Sequence, residues 1–184
     1  MPHLMTTPAK TLPCIILIGM AGAGKSTVGK ELARELQWAF LDSDYLIEAA
    51  YGMPLHYVAE TLGKEAFVSV ECSMVCSLKA SRAVIATGGS VIYCEEAMRH
   101  LARLGTIVHL DVPWPVIEAR LVRNPQRGLA IAPGQTLAEL FDERQALYQR
   151  WADVSVSARG ENPGEFARRI RACLPQQEDG QRRF

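Results

Sequence analysis

The sequence predicts an α/β fold in which helices cover both faces of a parallel β-sheet. Short apolar segments rich in Val and Ile alternate along the chain with longer segments of helical periodicity. This alternation is typical of βαβ units, whose strands run parallel and are buried on both faces. The candidate strands, in chain order, are residues 14–18, 39–41, 83–86, 107–110 and 154–156.

Helical patterns fill most of the spaces between these strands. The segment 45–63 is too long for a simple crossover, and we expect small helices there, beside the functional site. The segment 124–135 contains two prolines and two glycines, which favours a mobile lid. We therefore expect one domain over residues 14–174, between a flexible N-terminal tail (1–13) and a frayed C-terminus (175–184). The predicted helices are residues 26–36, 65–79, 95–104, 115–123, 137–151 and 163–173.

The composition of the chain limits the kinds of molecule that we expect it to bind. A chain of 184 residues with 48% hydrophobic content can bury one well-formed core. Lys+Arg and Asp+Glu both total 20, so no basic surplus indicates a nucleic-acid partner. The apolar runs all fall well short of the roughly 20 residues that span a bilayer. We therefore expect a soluble, cytoplasmic, monomeric protein that binds neither nucleic acid nor membranes.

The cysteines are five in number and scattered along the chain, which favours reduced thiols over a disulfide framework. Cys72 and Cys76 lie four residues apart on a predicted helix, a spacing that can hold a metal ion. Neither a His nor a second Cys pair accompanies them, so we interpret the two as small core residues.

The clearest motif is Gly-Met-Ala-Gly-Ala-Gly-Lys-Ser at residues 19–26, a complete G-x-x-x-x-G-K-[ST] phosphate-binding loop between a predicted strand and a predicted helix. Its glycines allow consecutive backbone N–H groups to point into one concavity, at the positive end of the next helix. Lys25 reaches the β- and γ-phosphates, and the Ser26 hydroxyl can ligate Mg²⁺. The sequence therefore predicts a nucleoside triphosphate such as ATP, with Mg²⁺, held by Gly22, Ala23, Gly24, Lys25, Ser26 and Thr27.

A phosphate-binding loop by itself does not choose among the classes of triphosphate-using proteins. The guanine-reading pattern Asn-Lys-x-Asp is absent from the sequence, and the chain is short for a motor or transporter ATPase. A small-molecule kinase or a nucleotide kinase remains. Arg82 is the only arginine between Arg34 and Arg99, so a phosphate-bearing acceptor would be poorly served. This favours a small-molecule kinase.

Acidic residues follow two of the predicted strands, at the edge where open α/β sheets bind their ligands. Asp42 and Asp44 come directly after the second strand, and Asp111 ends the fourth. Phosphoryl transfer needs a metal ion and an oriented hydroxyl, which these carboxylates can serve. The alternative is that Asp42 and Asp44 only cap the next helix. Asp111, which is followed by Pro113, has more the character of a strand-end cap.

A set of further segments supports a family assignment. In order and spacing they resemble shikimate kinase, from the phosphate-binding loop to about Pro163. The resemblance implies a three-layer P-loop kinase fold with a five-stranded parallel sheet and a mobile lid. The segments are Phe40-Leu-Asp-Ser-Asp44, Gly63-Lys-Glu-Ala-Phe67 with Glu71, Ala86-Thr-Gly-Gly-Ser90, Arg127-Gly-Leu129 and Glu143-Arg-Gln-Ala-Leu-Tyr148.

The resemblance also implies roles for individual residues. Asp42 would lie on the Mg²⁺ side, and Asp44 would hydrogen-bond and deprotonate the attacking hydroxyl. Arg127 would meet the developing phosphoryl charge when the lid closes. Arg144 would bind the substrate carboxylate, because a planar guanidinium can form two parallel hydrogen bonds with a carboxylate and an ammonium cannot.

Arg120 and Pro163 occupy the positions at which the family packs the adenine ring. Arg120 can supply a flat cationic surface for stacking.

Departures from the family pattern occur on the acceptor side. Where shikimate kinases have an arginine after the Phe of the helix segment, this chain has Val68, and the loss removes an interaction typically contributing about 1.5–3 kcal/mol. Three consecutive glycines become Gly88-Gly89-Ser90, and the Arg-Pro-Leu of the lid becomes Arg127-Gly-Leu129.

These changes predict a smaller acceptor with one carboxylate and one hydroxyl, an amino-acid alcohol such as homoserine, bound by Asp44, Val68, Gly88–Ser90 and Arg144. Two alternatives remain open. One is phosphorylation of shikimate itself to shikimate 3-phosphate. The other is a non-catalytic nucleotide-binding module that regulates a partner.

Overall fold

The computed structural model describes residues 13–124 and 129–174. The predicted tail up to residue 12, the predicted lid over 125–128 and the predicted frayed end lie outside these ranges. Within the described residues all five predicted strands are present, each at or within two residues of its predicted bounds. They are β1 (Cys14–Ile18), β2 (Ala39–Asp42), β3 (Ala83–Ala86), β4 (Gly105–Asp111) and β5 (Val154–Ser157).

The helices also follow the predicted order, and the segment 45–63 forms helix beside the site as expected. One long helix bends at Gly63, whose φ of 74° is not helical. None of the described helices is long and apolar enough to cross a bilayer. The helices are α1 (Lys25–Leu36), α2 (Ser43–Tyr51), α3 (Leu55–Ser77), α4 (Glu95–Leu104), α5 (Trp114–Arg123), α6 (Leu137–Trp151) and α7 (Pro163–Cys173), with a short 3₁₀ helix at Val91–Tyr93.

The sheet has five strands in the order β2-β3-β1-β4-β5, and every neighbouring pair is parallel. The predicted five-stranded parallel sheet is therefore confirmed. Helix α1 packs against α7 and against the strands β1, β2 and β3, whereas α4 packs against α3 and against the strands β1 and β4. β1 lies in the centre, and all five of its residues are buried, as expected for a strand covered on both faces.

This strand order gathers the functional loops at one edge. The loops after β1, β2 and β3 all leave from the carboxyl ends of adjacent strands, where open α/β sheets bind ligands. Thr87, directly after β3, ties the start of its loop to the neighbouring strand β1. Its backbone N–H and its hydroxyl both donate to the Leu17 carbonyl oxygen, at 3.2 and 3.1 Å.

A second apolar cluster lies apart from the main core. It consists of the buried side chains of Ile47, Val58, Phe67 and Ala130, and the half-buried Val68 packs against it. The cluster joins α2 and α3 to the described part of the segment before α6. It therefore supports the helical region beside the carboxyl edge of the sheet.

One cysteine pair differs from the prediction. Cys72 of α3 and Cys94, just before α4, form a disulfide, whereas Cys14, Cys76 and Cys173 are free thiols. The prediction of reduced thiols is therefore wrong for this pair. The two residues lie 22 positions apart, and only the packing of α3 against α4 brings them together.

Helix α1 approaches the sheet so closely that a side chain at Gly29 has no room. A Cβ atom there would lie 2.7 Å from Phe40 Cε2 and 3.1 Å from Leu17 Cδ1. We expect Gly29→Ala to lower the free energy of unfolding by about 1–3 kcal/mol, because overpacking forces strained shifts. Urea unfolding, monitored by circular dichroism, measures this change in the free energy of unfolding.

The matched control is Gly164→Ala in α7, where the nearest atom to a new Cβ is Asn162 Oδ1 at an ordinary 3.5 Å. Because alanine has a higher helix propensity than glycine, Gly164→Ala is expected to raise the free energy of unfolding by up to about 1 kcal/mol. Equal effects of the two substitutions would contradict the close approach of α1 to the sheet.

Candidate active site

A cavity of about 350 Å³ opens at the carboxyl edge of the sheet. Its walls come from the loop after β1, the first turns of α1 and α2, the middle of α3, the loop after β3 and the inner face of α6. Most of the residues predicted from the sequence meet here. Those that line the cavity are Gly22, Gly24, Lys25, Ser26, Thr27, Asp42, Asp44, Gly88, Gly89, Ser90 and Arg144.

The phosphate-binding loop has the backbone that its glycines were expected to allow. Gly22 and Gly24 have φ angles of 86° and 91°, in the left-handed region that disfavours side chains. Ala23 is buried, and its N–H donates to the Met20 carbonyl, so it supports the turn without lining the cavity. α1 begins at Lys25, so its unpaired N-terminal N–H groups and its dipole face the cavity.

Lys25 is folded into the loop that carries it. Its Nζ donates to the carbonyls of Gly19 and Met20 at 2.7 and 3.0 Å. Burial lowers the pKa of Lys25 to about 8, although the carboxylates of Asp44 and Asp42 act in the opposite direction. The ammonium thus stays mostly protonated at neutral pH and supplies a fixed positive charge beside the cavity.

Asp42, the last residue of β2, and Asp44, in the first turn of α2, lie beside the cavity. Asp42 Oδ1 accepts a hydrogen bond from the Asp44 N–H at 3.1 Å and caps α2. Both residues also line the cavity. Ser43, between them, accepts a hydrogen bond from the Gly88 N–H at 3.0 Å. This contact holds the end of β2 against the loop after β3.

Asp111 is not part of this group. Its carboxylate accepts a hydrogen bond from the Ser157 hydroxyl at 2.8 Å and so joins the ends of β4 and β5. The interpretation as a strand-end group fits this contact.

Glu71, which the sequence analysis named only as part of the family resemblance and gave no role, is a buried carboxylate in the wall of the cavity. Ser90 Oγ donates to its Oε2 at 2.5 Å, whereas Oε1 has no hydrogen-bond partner within the described part of the chain. Burial, with a further contribution from the charge of Asp44, raises the pKa of Glu71 to about 7. Its position one helical turn after Phe67, which also lines the cavity, is the sequence signal that indicates this wall.

The loop after β3 requires its two glycines because a side chain at either position would crowd neighbouring atoms. A Cβ at Gly88 would lie 1.8 Å from Glu71 Oε1 and 2.7 Å from Asp44 Oδ1. At Gly89 it would lie 3.1 Å from an Arg144 nitrogen. These two glycines therefore allow two carboxylates and a guanidinium to approach the same stretch of backbone.

Arg144 is buried in α6, with only 1% of its surface exposed. Its guanidinium donates to the Ala130 carbonyl at 2.9 Å and to the Tyr93 hydroxyl at 3.3 Å. Tyr148, one turn later, donates to the Gly89 carbonyl at 2.7 Å. These bonds fix the orientation of the guanidinium at one end of the cavity.

Several expected site residues lie elsewhere. Val68 packs in the second apolar cluster and does not line the cavity. Arg120 donates to the Gly22 carbonyl at 2.8 Å from outside the phosphate-binding loop. Pro163 is exposed in the first turn of α7, and Arg127 falls outside the described residues.

Lys30 is a further cation that the sequence interpretation missed. It lines the cavity, and its Nζ lies 5.5 Å from the centre of the Tyr45 ring. Lys30 follows Ser26 by one helical turn, a spacing that places both on the same face of α1. The walls of the cavity thus combine the cations Lys25, Lys30 and Arg144 with several carboxylates, a set of groups suited to anionic ligands and a hydroxyl.

Comparison with known proteins agrees with this geometry. A family model described as shikimate kinase matches residues 21–175. The shikimate kinase of Aromatoleum aromaticum is 34% identical over 163 residues, which cover 87% of this chain and 93% of that protein. The shikimate kinase of Chromohalobacter salexigens is 39% identical over 148 residues, with 79% and 82% coverage.

Solved structures show the same relationship. The shikimate kinase from Acinetobacter baumannii in complex with shikimate has a TM-score of 0.78 and 33% identity, covering 87% of this chain and 91% of that one. The shikimate kinase from Aquifex aeolicus has a TM-score of 0.71 and 31% identity, covering 86% and 94%. The chain therefore belongs to the shikimate kinase family and is an ATP-dependent small-molecule kinase.

Proposed function

We propose that this kinase transfers the γ-phosphoryl group of ATP to a hydroxyl of shikimate, yielding shikimate 3-phosphate. The observation that carries the proposal is the meeting of Lys25, Asp44 and Arg144 around one cavity in a chain of the shikimate kinase family. The relative from Acinetobacter baumannii was solved in complex with shikimate, which supports this acceptor.

Arg144 suits the carboxylate of the acceptor. Its planar guanidinium is held by Ala130 and Tyr93, so little side-chain entropy is lost when it binds an anion. A guanidinium and a carboxylate form charge-assisted, often bidentate, hydrogen bonds. With the carboxylate at Arg144, the ring of the acceptor lies along Gly88 and Gly89, and its hydroxyl faces Asp44.

Asp44 is the group that we assign to the hydroxyl proton. The acceptor oxygen attacks the γ-phosphorus, a new P–O bond forms as the bond to the ADP oxygen breaks, and the hydroxyl proton passes to the Asp44 carboxylate. Glu71 serves a different purpose. Because its pKa is about 7, it carries a proton in much of the population at neutral pH and can donate a hydrogen bond.

The phosphate end of the cavity fits ATP with Mg²⁺. The N–H groups of the loop, the N-terminus of α1 and Lys25 meet polyphosphate oxygens. Ser26 and Asp42 line the cavity with oxygen atoms, the ligand type that Mg²⁺ prefers, and we assign the ion to them. Bound Mg²⁺ would neutralise phosphate charge. The roles of Arg127 and of Arg120 with Pro163 in binding the phosphoryl group and adenine remain predictions.

The homoserine hypothesis has less support. It required Val68 to contact a short aliphatic acceptor, but Val68 packs in the second apolar cluster and not along the cavity. The relatives that we compared are shikimate kinases. Arg144 is the one arginine that lines the cavity within the described residues, so we expect a single guanidinium to carry most of the carboxylate recognition.

The first test measures ATP turnover with shikimate, homoserine, other hydroxy acids and nucleoside monophosphates. We expect strong turnover with shikimate and a loss on the order of 10²–10³-fold in Lys25→Ala, because a preorganised charge on the phosphoryl group is removed. The exposed Lys79→Ala is the matched control and should retain activity, and thermal unfolding checks the fold. Turnover with homoserine alone would replace the proposal, and ATP binding without turnover would favour a regulatory module.

The second test addresses the acceptor carboxylate. Arg144→Lys keeps the charge but loses the planar fork, so we expect the KM for shikimate to rise roughly 10- to 100-fold, with the KM for ATP nearly unchanged. Arg150→Lys on the exposed side of the same helix is the control. An unchanged KM for shikimate in a folded Arg144→Lys protein would remove this role.

The third test uses pH. The folded-state pKa of Glu71, about 7, lies above its ordinary 4.5, so the folded state binds this proton more tightly than the unfolded state. Glu71 therefore lowers stability progressively as pH rises from 4.5 through 7. Relative to wild type, Glu71→Gln should gain on the order of 1–3 kcal/mol of unfolding free energy across this interval.

Urea unfolding at a series of pH values gives the difference between the two proteins, which cancels the contributions of other titrating groups. Glu65→Gln, exposed on the same helix, should show no such trend. A difference between Glu71→Gln and wild type that does not vary with pH would contradict the raised pKa.

A further inference from the structure

Three cysteines and one carboxylate converge where α3 packs against the start of α4, behind the wall of the cavity. Cys72 and Cys76 belong to α3, Cys94 is the N-cap residue of α4, and Glu96 lies in its first turn. The ligand atoms of Cys72, Cys76 and Glu96 all lie within 4.8 Å of one another. Cys72 Sγ is in turn bonded to Cys94 Sγ. We call these four residues the thiol cluster.

We propose that the thiol cluster, once its disulfide is reduced, binds one thiophilic divalent ion of the Zn²⁺ type through Cys72, Cys76, Cys94 and Glu96. The disulfide form that the structure shows is then the metal-free alternative of the same site. This inference is independent of the identity of the phosphoryl acceptor.

The number, type and placement of the ligands suit zinc. Zn²⁺ takes thiolate and carboxylate ligands in tetrahedral sites, where ligand atoms stand roughly 3.8 Å apart at a Zn–S distance of about 2.3 Å. Cys72 and Cys76 are four residues apart in α3, so their sulfurs share one face of the helix. Cys94 and Glu96 approach that face from α4. The ligand atoms of Cys72, Cys76 and Glu96 already lie within 4.8 Å of one another, and reduction of the Cys72–Cys94 bond frees Cys94 as the fourth ligand.

The local electrostatics favour the anionic ligands that a cation needs. The Cys94 sulfur accepts a hydrogen bond from the Ala97 N–H at 3.3 Å, at the positive end of α4, which stabilises a thiolate. A bound metal ion would stabilise the thiolates further through its own charge.

The two states differ by a balanced redox step. A dithiol reductant transfers two electrons and two protons to the Cys72–Cys94 bond, which becomes two thiols, while the reductant leaves as its cyclic disulfide. Binding of the ion then displaces the thiol protons into solvent. Both states link α3 to the segment before α4, but only the metal state also engages Cys76 and Glu96.

The cluster lies next to two residues of the active site in the chain. Cys72 directly follows Glu71, and Cys94 directly follows Tyr93, the residue that hydrogen-bonds Arg144. Holding α3 against this segment holds Glu71 near Ser90 and Tyr93 near Arg144. We therefore expect the ion to raise thermal stability.

The test titrates the full-length, fully reduced protein with Co²⁺, a spectroscopic substitute for Zn²⁺, and then displaces it with Zn²⁺. We expect one Co²⁺ per chain with sulfur-to-cobalt charge-transfer absorption that Zn²⁺ abolishes. Cys76→Ser, which leaves the disulfide pair intact, should weaken Co²⁺ binding by more than the roughly 10–100-fold that losing an outer-shell partner costs. Cys173→Ser, a free exposed cysteine outside the cluster, is the matched control.

Thermal unfolding in the presence of a chelator checks that Cys76→Ser folds like the wild type. The oxidised protein should bind no Co²⁺ at this site. The proposal is overturned if the reduced wild type lacks the charge-transfer band. Equal affinity in wild type and Cys76→Ser, or equal binding by oxidised and reduced protein, would overturn it as well.

Discussion

The position of β1 is the constraint on which the rest of the structure depends. The strand is completely buried and pairs with β3 on one side and β4 on the other, so its carboxyl end is held in register by two neighbouring strands. The phosphate-binding loop begins directly after this strand, so the strand holds its first residues in place. Lys25, bonded to the carbonyls of Gly19 and Met20, has its charge placed by the same loop. Electrostatic catalysis depends on groups that need no reorganisation during the reaction.

Beside this loop the protein buries charged side chains, and polar neighbours offset part of the cost of burying them. Arg144 and Glu71 are nearly inaccessible to solvent, and burying an isolated charge is costly. Arg144 is satisfied by Ala130 and Tyr93, whereas Glu71 has the Ser90 hydroxyl and a raised pKa. The site is thus polar, and these two charged groups are removed from solvent. These conditions strengthen interactions with charged ligands.

How far each site residue could be predicted depended on how local its determinants are. The loop at residues 19–26 is specified by consecutive residues, and Asp42 and Asp44 follow from the end of a strand, so these positions met at the cavity as expected. Val68 did not. Phe67 and Val68 both pack in the second apolar cluster, but of the two only Phe67 also lines the cavity, because successive residues on an α-helix point about 100° apart.

By itself the sequence determined the alternation of strands and helices, the parallel sheet and the phosphate-binding loop, because hydrophobic periodicity and backbone freedom are properties of short segments. Only the tertiary structure decided that Glu71 meets Ser90, that Arg144 is buried against Tyr93, and that Cys72 reaches Cys94. These pairs lie 19 or more residues apart in the chain, and their contacts depend on how helices rotate and pack on the sheet. No local pattern encodes that rotation.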